Sequence, residues 1–236
     1  MGFKKIIKQQ ILGTMKQSQA ERSQELAALS DAQLRLYIPD VYQKDIYQID
    51  YQRLWNQGIR LISFDIDDTI QDSGIDKIEG YLGNGVKMPE KAVHKFSQLK
   101  KIGFSLALLS NTSEGIVSDA CKQLGADWYI AHAQKPHGQN FEKLLDHFGV
   151  DRSRAAHVGN SMVDDIYGGN NVGVTTCLVR RAGIMMKAPK GARHAIGLQT
   201  KGDQIRQELL ARGMWRKHHL VVEGDQYYQL GEKQKG

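Results

Sequence analysis

The sequence has few cysteines, few prolines and no long apolar run. Its two cysteines, Cys121 and Cys177, lie far apart, so they suggest neither a metal knuckle nor a redox pair and favour a reducing compartment. No apolar run is long enough to cross a bilayer, and the N-terminus lacks the apolar stretch and cleavage site of a signal peptide. We therefore expect a cytoplasmic protein.

The net charge of +6 is unevenly distributed along the 236 residues. Residues 180–217 contain ten Lys or Arg against two acids, whereas residues 61–179 contain eleven against fifteen. Such a basic segment forms either an ordinary solvated surface or a surface that attracts a polyanion, such as a nucleic acid or an anionic membrane. Both alternatives stay open at this point.

Apolar runs and helical patterns alternate through the middle of the chain. The predicted strands are residues 59–64, 104–110, 127–133, 155–160 and 175–180. The predicted helices between them are residues 89–101, 113–125 and 138–149. Ser113 is the expected cap of the second helix. This alternation favours a Rossmann-like α/β fold, with a parallel sheet covered by helices on both faces.

The chain divides into three predicted segments: a helical N-terminal extension (1–36), an α/β core (37–182) and a basic C-terminal appendage (183–236). Hydrophobic residues make up 41% of the chain, enough for one sizeable core with appendages. Residues 37–58 are predicted to form a linking loop and a short helix. The Gly-rich, polar residues 71–88 suggest a small flap.

The first predicted strand ends in a cluster of acids, "SFDIDDTI" at residues 63–70. Strand alternation places Asp65 and Asp67 on the same side and turns Ile66 into the core. Two such carboxylates can share one divalent cation, and Mg²⁺ prefers oxygen ligands. An aspartate can also attack phosphorus, while a second carboxyl protonates the leaving oxygen and later deprotonates a water. The spacing thus allows a nucleophile and an acid/base group around one metal.

Four motifs follow one another at predicted strand ends, where parallel sheets bind their ligands. "DIDDT", "LALLSN", "AQKP" and "VGNSMVDDI" resemble, in this order, the four motifs of the haloacid dehalogenase superfamily. Over residues 38–182 the sequence is similar to the YqeG-type branch, which is related to mitochondrial phosphatidylglycerophosphate phosphatases. The resemblance implies a Mg²⁺-dependent phosphatase that forms an aspartyl-phosphate.

The resemblance also implies a role for each matching residue. Asp65 becomes the nucleophile and a metal ligand, and Asp67 the acid/base group with its carbonyl on the metal. Lys135 would neutralise the phosphoryl group and Asp65. The residues expected to bind the substrate are Thr69, which would orient the loop, Ser110, Asn111 and Lys135. His132, His137 and His157 show no partner pattern and are interpreted as structural.

The fourth motif departs from the commoner pattern GDxxxxD. Asn160 replaces the usual first acid, and Asp165 matches the second. Both are candidate metal ligands, because an amide oxygen can bind Mg²⁺ without contributing charge. Asp164 is a neighbouring acid that could compensate. Whether Asn160, Asp164 or Asp165 is the third ligand stays open.

The motif spacing leaves no room for a large cap domain. Asp65 and Ser110 are 45 positions apart, and Ser110 and Lys135 are 25 apart. We therefore expect an open site that accepts phosphate on a macromolecule or a membrane lipid, with the protein peripheral at the membrane. The alternatives are a phosphatase for nucleic-acid ends, a non-catalytic phosphate-binding scaffold, or a small-molecule enzyme in which residues 183–236 serve as a substitute cap.

Overall fold

The computed structural model describes residues 18–71, 87–179, 201–215 and 228–229. Within these ranges the strands are β1 (Val41–Gln43), β2 (Leu61–Phe64), β3 (Ser105–Leu109), β4 (Trp128–Ile130), β5 (Ala155–Gly159), β6 (Thr175–Val179) and β7 (Tyr228–Gln229). They form one sheet in the order β4-β3-β2-β5-β6-β1-β7. Neighbouring strands are parallel except for β1 and β7, which are antiparallel. The predicted parallel α/β sheet is confirmed.

The helices connect the strands and cover the sheet. They are α1 (18–27), α2 (Asp31–Arg35), α3 (Tyr51–Asn56), α4 (Glu90–Ile102), α5 (Glu114–Leu124), α6 (Gln139–Phe148), a 3₁₀ turn (Arg152–Arg154), a π-helix (Met162–Tyr167), α7 (Gly168–Val172) and α8 (Lys201–Ala211). The helix α4 follows Pro89 and ends at Gly103, whose φ of 114° suits glycine. Ser113 occupies the cap position of α5, but its side chain makes no capping hydrogen bond.

Strand alternation divides the core between the two faces of the sheet. Ile62 and Phe64 of β2 pack into one cluster with residues of α3, α4 and α5. Leu61 faces the other way, into a cluster with Phe141 of α6 and Val172 of α7. Each fully buried side chain of this size contributes about 1.5–3 kcal/mol. The helices on both faces therefore leave the carboxyl ends of the strands as the edge where polar groups can gather.

The strand β1 corrects the prediction that residues 37–58 contain only a loop and a short helix. β1 pairs in parallel with β6, so that Val41 lies opposite Cys177. Just before it, Asp40 donates its N–H to the carbonyl of Thr176 at 3.0 Å and accepts the Thr176 N–H at 2.9 Å. A three-residue strand has too little pattern to be recognised, and its partner lies more than 130 positions away in the chain.

Described helices before and after the α/β core pack onto it. Leu26 of α1, Leu34 of α2, and Ile205 and Leu209 of α8 are buried together against Leu178 of β6. Side chains from all three predicted segments thus share one cluster, while the segment boundaries themselves stay a prediction. The predicted N-terminal helix before residue 18, the predicted flap at 71–88 except for its terminal residues, and the basic residues 180–200 lie outside the described residues. None of the described helices combines the length and apolar character needed to cross a bilayer.

Candidate active site

The loop after β2 turns sharply around Ile66. Asp65 still follows the sheet, since its N–H donates to the carbonyl of Val158 at 2.9 Å. The buried Ile66 then accepts at its carbonyl the N–H groups of Thr69, Ile70 and Gln71 at 3.0–3.3 Å. Asp68 takes a φ of 58°, a left-handed conformation that aspartate tolerates better than most residues. The third acid of the cluster therefore shapes the turn that presents the other two.

Asp65 is held by two side chains. Lys135 donates its Nζ to Oδ1 of Asp65 at 2.8 Å, and Thr69 donates its hydroxyl to Oδ2 at 3.3 Å. The Asp65 residue is only 7% exposed. Burial raises the pKa of Asp65 to about 6, although the Lys135 ammonium pulls it down. Thr69 thus orients the carboxylate itself, as well as the loop around it.

Lys135 is held in place by Asn111, which follows the end of the neighbouring strand β3. The side chain of Asn111, just after β3, accepts the Lys135 N–H at 2.8 Å and donates to the Lys135 carbonyl at 3.2 Å. The Lys135 Nζ reaches a second carboxylate, Asp165, at 2.6 Å. Burial opposes the positive charge, but the Asp165 and Asp65 carboxylates keep the pKa of Lys135 above its ordinary value. Asn111, expected to bind substrate, clamps the backbone of Lys135 in this structure.

The two loops that meet at Asp65 also carry strained backbone. Among the described residues, those other than glycine with a positive φ are Asp68, His132 and Gln134, at 58°, 47° and 51°. Each such conformation costs on the order of 1–3 kcal/mol and persists only where its surroundings impose it. One lies in the Asp65 loop, and two lie just before Lys135. Both loops are therefore held in particular shapes by the packing around them.

Asp165 comes from the π-helix after β5 and lies against the end of that strand. A Cβ atom at Gly159 would overlap its carboxyl group, so only glycine fits there. Oδ2 of Asp165 accepts the N–H of Ser161 at 2.8 Å, while Oδ1 faces Lys135 and, at 3.1 Å, Nε2 of His157. Burial alone would raise the pKa of Asp165, but Lys135 and His157 hold it below its ordinary value.

His157 is the part of this network that sequence reasoning did not assign to the site. It is completely buried in β5, and its Nδ1 lies 2.8 Å from the hydroxyl of Ser63 on β2. Burial lowers the pKa of His157, which favours the neutral ring. The available signal was the pair of polar residues, one in each of the otherwise apolar strands "LISF" and "AAHVG".

Known proteins are similar to this chain over a range that includes several of these site residues. A family model for haloacid dehalogenase-like hydrolases matches residues 81–173, which include Ser110, Lys135 and Asp165. The probable phosphatase YqeG of Bacillus subtilis is 25% identical over 145 residues, covering 61% of this chain and 78% of that protein. Over these regions the chain is similar to haloacid dehalogenase-like hydrolases and to a probable phosphatase.

Two further matches carry phosphatase names. Glyceraldehyde 3-phosphate phosphatase of Pyrococcus abyssi is 30% identical over 87 residues, covering 34% of this chain and 37% of that protein. The cobalt-bound deoxy-D-mannose-octulosonate 8-phosphate phosphatase of Haemophilus influenzae is 17% identical, with a TM-score of 0.43 over 66% of this chain and 91% of that one. The predicted resemblance to this family and the predicted class of enzyme, a phosphatase, are confirmed by the family model and the curated relatives.

Other predicted site residues lie at the same edge of the sheet. Ser110 follows β3 and is buried, with its Oγ 3.4 Å from the N–H of Thr112. Asn160 follows β5, and Asp164 accepts the Ser161 hydroxyl at 3.0 Å. Within the described part of the chain, none of these three makes a hydrogen bond to Asp65 or Lys135. Their predicted contacts with substrate or metal stay predictions.

Several oxygen atoms at this edge could hold a divalent metal ion. In the described residues, no group of three or more His, Cys, Asp or Glu side chains could hold a metal ion. The oxygens that could hold a metal ion are instead the carboxylate of Asp65, the carbonyl of Asp67 and the amide of Asn160. Mg²⁺ is commonly bound by one or two carboxylates and keeps several waters, which this set allows. A tetrahedral zinc site needs more Cys or His ligands.

Proposed function

We propose that this protein acts as a haloacid dehalogenase-like hydrolase and cleaves phosphomonoesters through a covalent aspartyl-phosphate on Asp65. The observation that supports this best is the Lys135 ammonium, 2.8 Å from Oδ1 of Asp65 in a buried site. A cation fixed beside the nucleophile stabilises the charge that develops on the transferring phosphoryl group. Because Asn111 and Asp165 hold Lys135 already, little reorganisation is needed when the substrate arrives.

The proposed reaction has two displacement steps. A carboxylate oxygen of Asp65 forms a bond to phosphorus while the ester P–O bond breaks, and the carboxyl of Asp67 gives its proton to the leaving oxygen. Water then attacks the same phosphorus and gives its proton to the Asp67 carboxylate. The bond between phosphorus and Asp65 breaks, inorganic phosphate leaves, and both aspartates regain their starting states.

We assign Mg²⁺ as the cofactor, with Asp65 and the carbonyl of Asp67 as ligands. When bound, it would neutralise charge on the phosphate oxygens. Asn160 is the best candidate for the third ligand, because the two oxygens of Asp165 already accept hydrogen bonds from Lys135, His157 and Ser161. Asp164, whose carboxylate accepts only the Ser161 hydroxyl among the described contacts, is the next candidate.

We further propose that the substrate phosphate is displayed on a membrane lipid. Only α5 and β4 occupy the described chain between Ser110 and Lys135, so no cap is inserted there. An open site admits a phosphate on a large surface, and the basic residues between 180 and 217 would attract an anionic bilayer. The protein would then be peripheral at the cytoplasmic face of a membrane.

The full-length protein tests these proposals in two stages. Phosphate release from p-nitrophenyl phosphate should require Mg²⁺ and disappear in excess EDTA and in the Asp65→Asn variant. The second stage compares vesicles containing phosphatidylglycerophosphate, 5′-phosphorylated oligonucleotides and small sugar phosphates. Preference for the vesicles, weakened by salt, supports the lipid proposal. Preference for oligonucleotides or for a sugar phosphate would replace it, and full activity in EDTA would refute the metal.

A further inference from the structure

Beneath the ion pairs of the site lies a second, uncharged pair of side chains. Ser63 of β2 and His157 of β5 are directly opposite each other in the parallel register of the two strands. Both are buried, at 2% and 0% exposure. The ring of Phe141 meets His157 edge to face at a centroid distance of 5.0 Å. The imidazole therefore has a fixed place between two strands and a helix.

The hydrogen bonds of this pair have a single consistent direction. An ionised Asp165 can only accept, so Nε2 of His157 must carry the proton and donate to Oδ1. A neutral ring then accepts at Nδ1, where the hydroxyl of Ser63 donates at 2.8 Å. The chain of contacts runs from Ser63 through His157 to Asp165, which shares Lys135 with Asp65.

We propose that His157, oriented by Ser63, is a positioning residue that fixes the Asp165 carboxylate and through it the direction in which Lys135 points at Asp65. The proposal rests on the proposed function of Asp65 and Lys135. It goes further because it assigns a role to a buried histidine whose hydrogen bonds go to Ser63 and Asp165 and not to Asp65.

The geometry explains why a donor is needed at this place. The Ser161 N–H holds Oδ2 of Asp165, and without His157 the Oδ1 atom would keep one partner, the ammonium at the end of the long Lys135 side chain. Nε2 of His157 is a second, immobile donor to the same oxygen. Side chains that orient the residues of a catalytic centre typically change activity by about tenfold to a hundredfold when they are removed. We expect a loss of this size in kcat, with KM within about twofold of the wild-type value.

The experiment compares His157→Leu with His157→Gln. Leucine fills much of the ring volume but donates nothing, whereas the glutamine amide can place an N–H near the position of Nε2. We expect His157→Leu to lose about tenfold to a hundredfold in kcat and His157→Gln to recover most of it. The matched control is Gln204→Leu, which removes a buried, hydrogen-bonded amide from α8 and should lower the Tm without changing kcat.

A crystal structure of each variant gives a readout that is independent of turnover. In His157→Leu the Lys135 contact with Asp65 should lengthen or break, and in His157→Gln it should stay near 2.8 Å. If His157→Leu does not fold, Ser63→Ala replaces it, with an expected loss of about threefold or more in kcat and no change in KM. Unchanged kcat and unchanged Lys135 geometry in these variants would overturn the inference, as would a His157→Gln protein no better than His157→Leu.

Failure of this inference can be told apart from failure of the proposed function. An active wild type that is abolished by Asp65→Asn but indifferent to His157→Leu and Ser63→Ala contradicts the positioning role alone. A wild type without turnover contradicts the proposed function. In that case the Lys135 geometry in the variant crystals still decides whether His157 positions the pair.

Discussion

Two regions of this molecule bury polar side chains, and they do so with different chemistry. At the carboxyl edge of the sheet, Asp65, Lys135 and Asp165 form buried ion pairs at 2.8 and 2.6 Å. At the seam between α1 and α8, the neutral amide of Gln204 donates to the carbonyl of Gln19 and the hydroxyl of Ser23, both at 2.7 Å. The first region buries its charged groups, whereas in the second the buried group is neutral and its amide oxygen accepts from the part-buried Arg22 guanidinium at 3.1 Å.

The neutral polar group at the seam stabilises the fold, whereas the buried charges at the site are kept for chemistry. A neutral buried amide with satisfied partners contributes net stability. Buried charges, in contrast, lose much hydration that their mutual attraction does not reliably repay. The site contains two carboxylates around one ammonium, so negative charge is in excess there, a composition suited to receiving a cation. We therefore expect substitutions at the site to change activity first and substitutions at the seam to change stability alone.

Asp65→Asn should have the largest effect. It removes the proposed nucleophile but keeps the shape of the side chain and an oxygen for Lys135, so kcat should fall to below about 1% of wild type. The free energy of unfolding should be unchanged or slightly raised, because a buried negative charge is lost. Phosphate release and urea denaturation measure the two quantities. Turnover above that level would show that Asp65 is not the nucleophile.

Lys135→Met should damage both activity and stability. Methionine fills the space of the lysine stem but leaves Asp65 and Asp165 buried without their cation. Removing one partner of a buried ion pair typically costs about 3–5 kcal/mol. Urea denaturation without added metal should show a loss of this size, together with loss of phosphate release. A stability equal to that of wild type would mean that the carboxylates are already compensated by another group, and the comparison of the two regions would fail.

Gln204→Leu should lower the stability of the protein and leave its activity unchanged. It leaves the backbone and hydroxyl partners on α1 without their buried donor, which we expect to cost about 1–3 kcal/mol of unfolding free energy. The kcat for p-nitrophenyl phosphate should stay within about twofold of wild type. If activity falls in proportion to stability, the seam and the site are energetically coupled. Both quantities come from one preparation, with denaturation followed by circular dichroism.

The elements with strong local patterns were predictable from the sequence. The strands β2 to β6 and the helices α4 to α6 have apolar periodicity with clear start and stop residues, and the acids at Asp65 stand out against the strand before them. Lys135 was predicted as a site residue because it lies in the motif "AQKP". In each case the information lies within about ten consecutive residues.

The contacts that join distant strands were not predictable in the same way. The role of His157 depends on the register that sets it opposite Ser63, and the clamp of Asn111 on Lys135 depends on how two loops meet. Neither register nor loop approach leaves a periodic signal in one sequence. For the same reason β1 could not be predicted, because its partner β6 is adjacent in the sheet but distant in the sequence. Local patterns predict elements, whereas close packing between elements decides what each polar side chain does.

The smallest expected effect is the gain from adding charge to the site. Asn160→Asp restores the acid of the commoner fourth motif at a half-buried position just after β5. If Asn160 is the third ligand, a negative charge there should raise Mg²⁺ affinity by up to about tenfold, or 1.4 kcal/mol, since partly solvated charges interact at a high effective dielectric constant. Isothermal titration calorimetry on the full-length protein measures the affinity, and Asp164→Asn is the matched control that removes a neighbouring charge. An Asn160→Asp protein that binds Mg²⁺ more weakly, beside an Asp164→Asn protein that loses binding, would move the third ligand to Asp164. The site would then hold its charge excess on the π-helix rather than at the strand end.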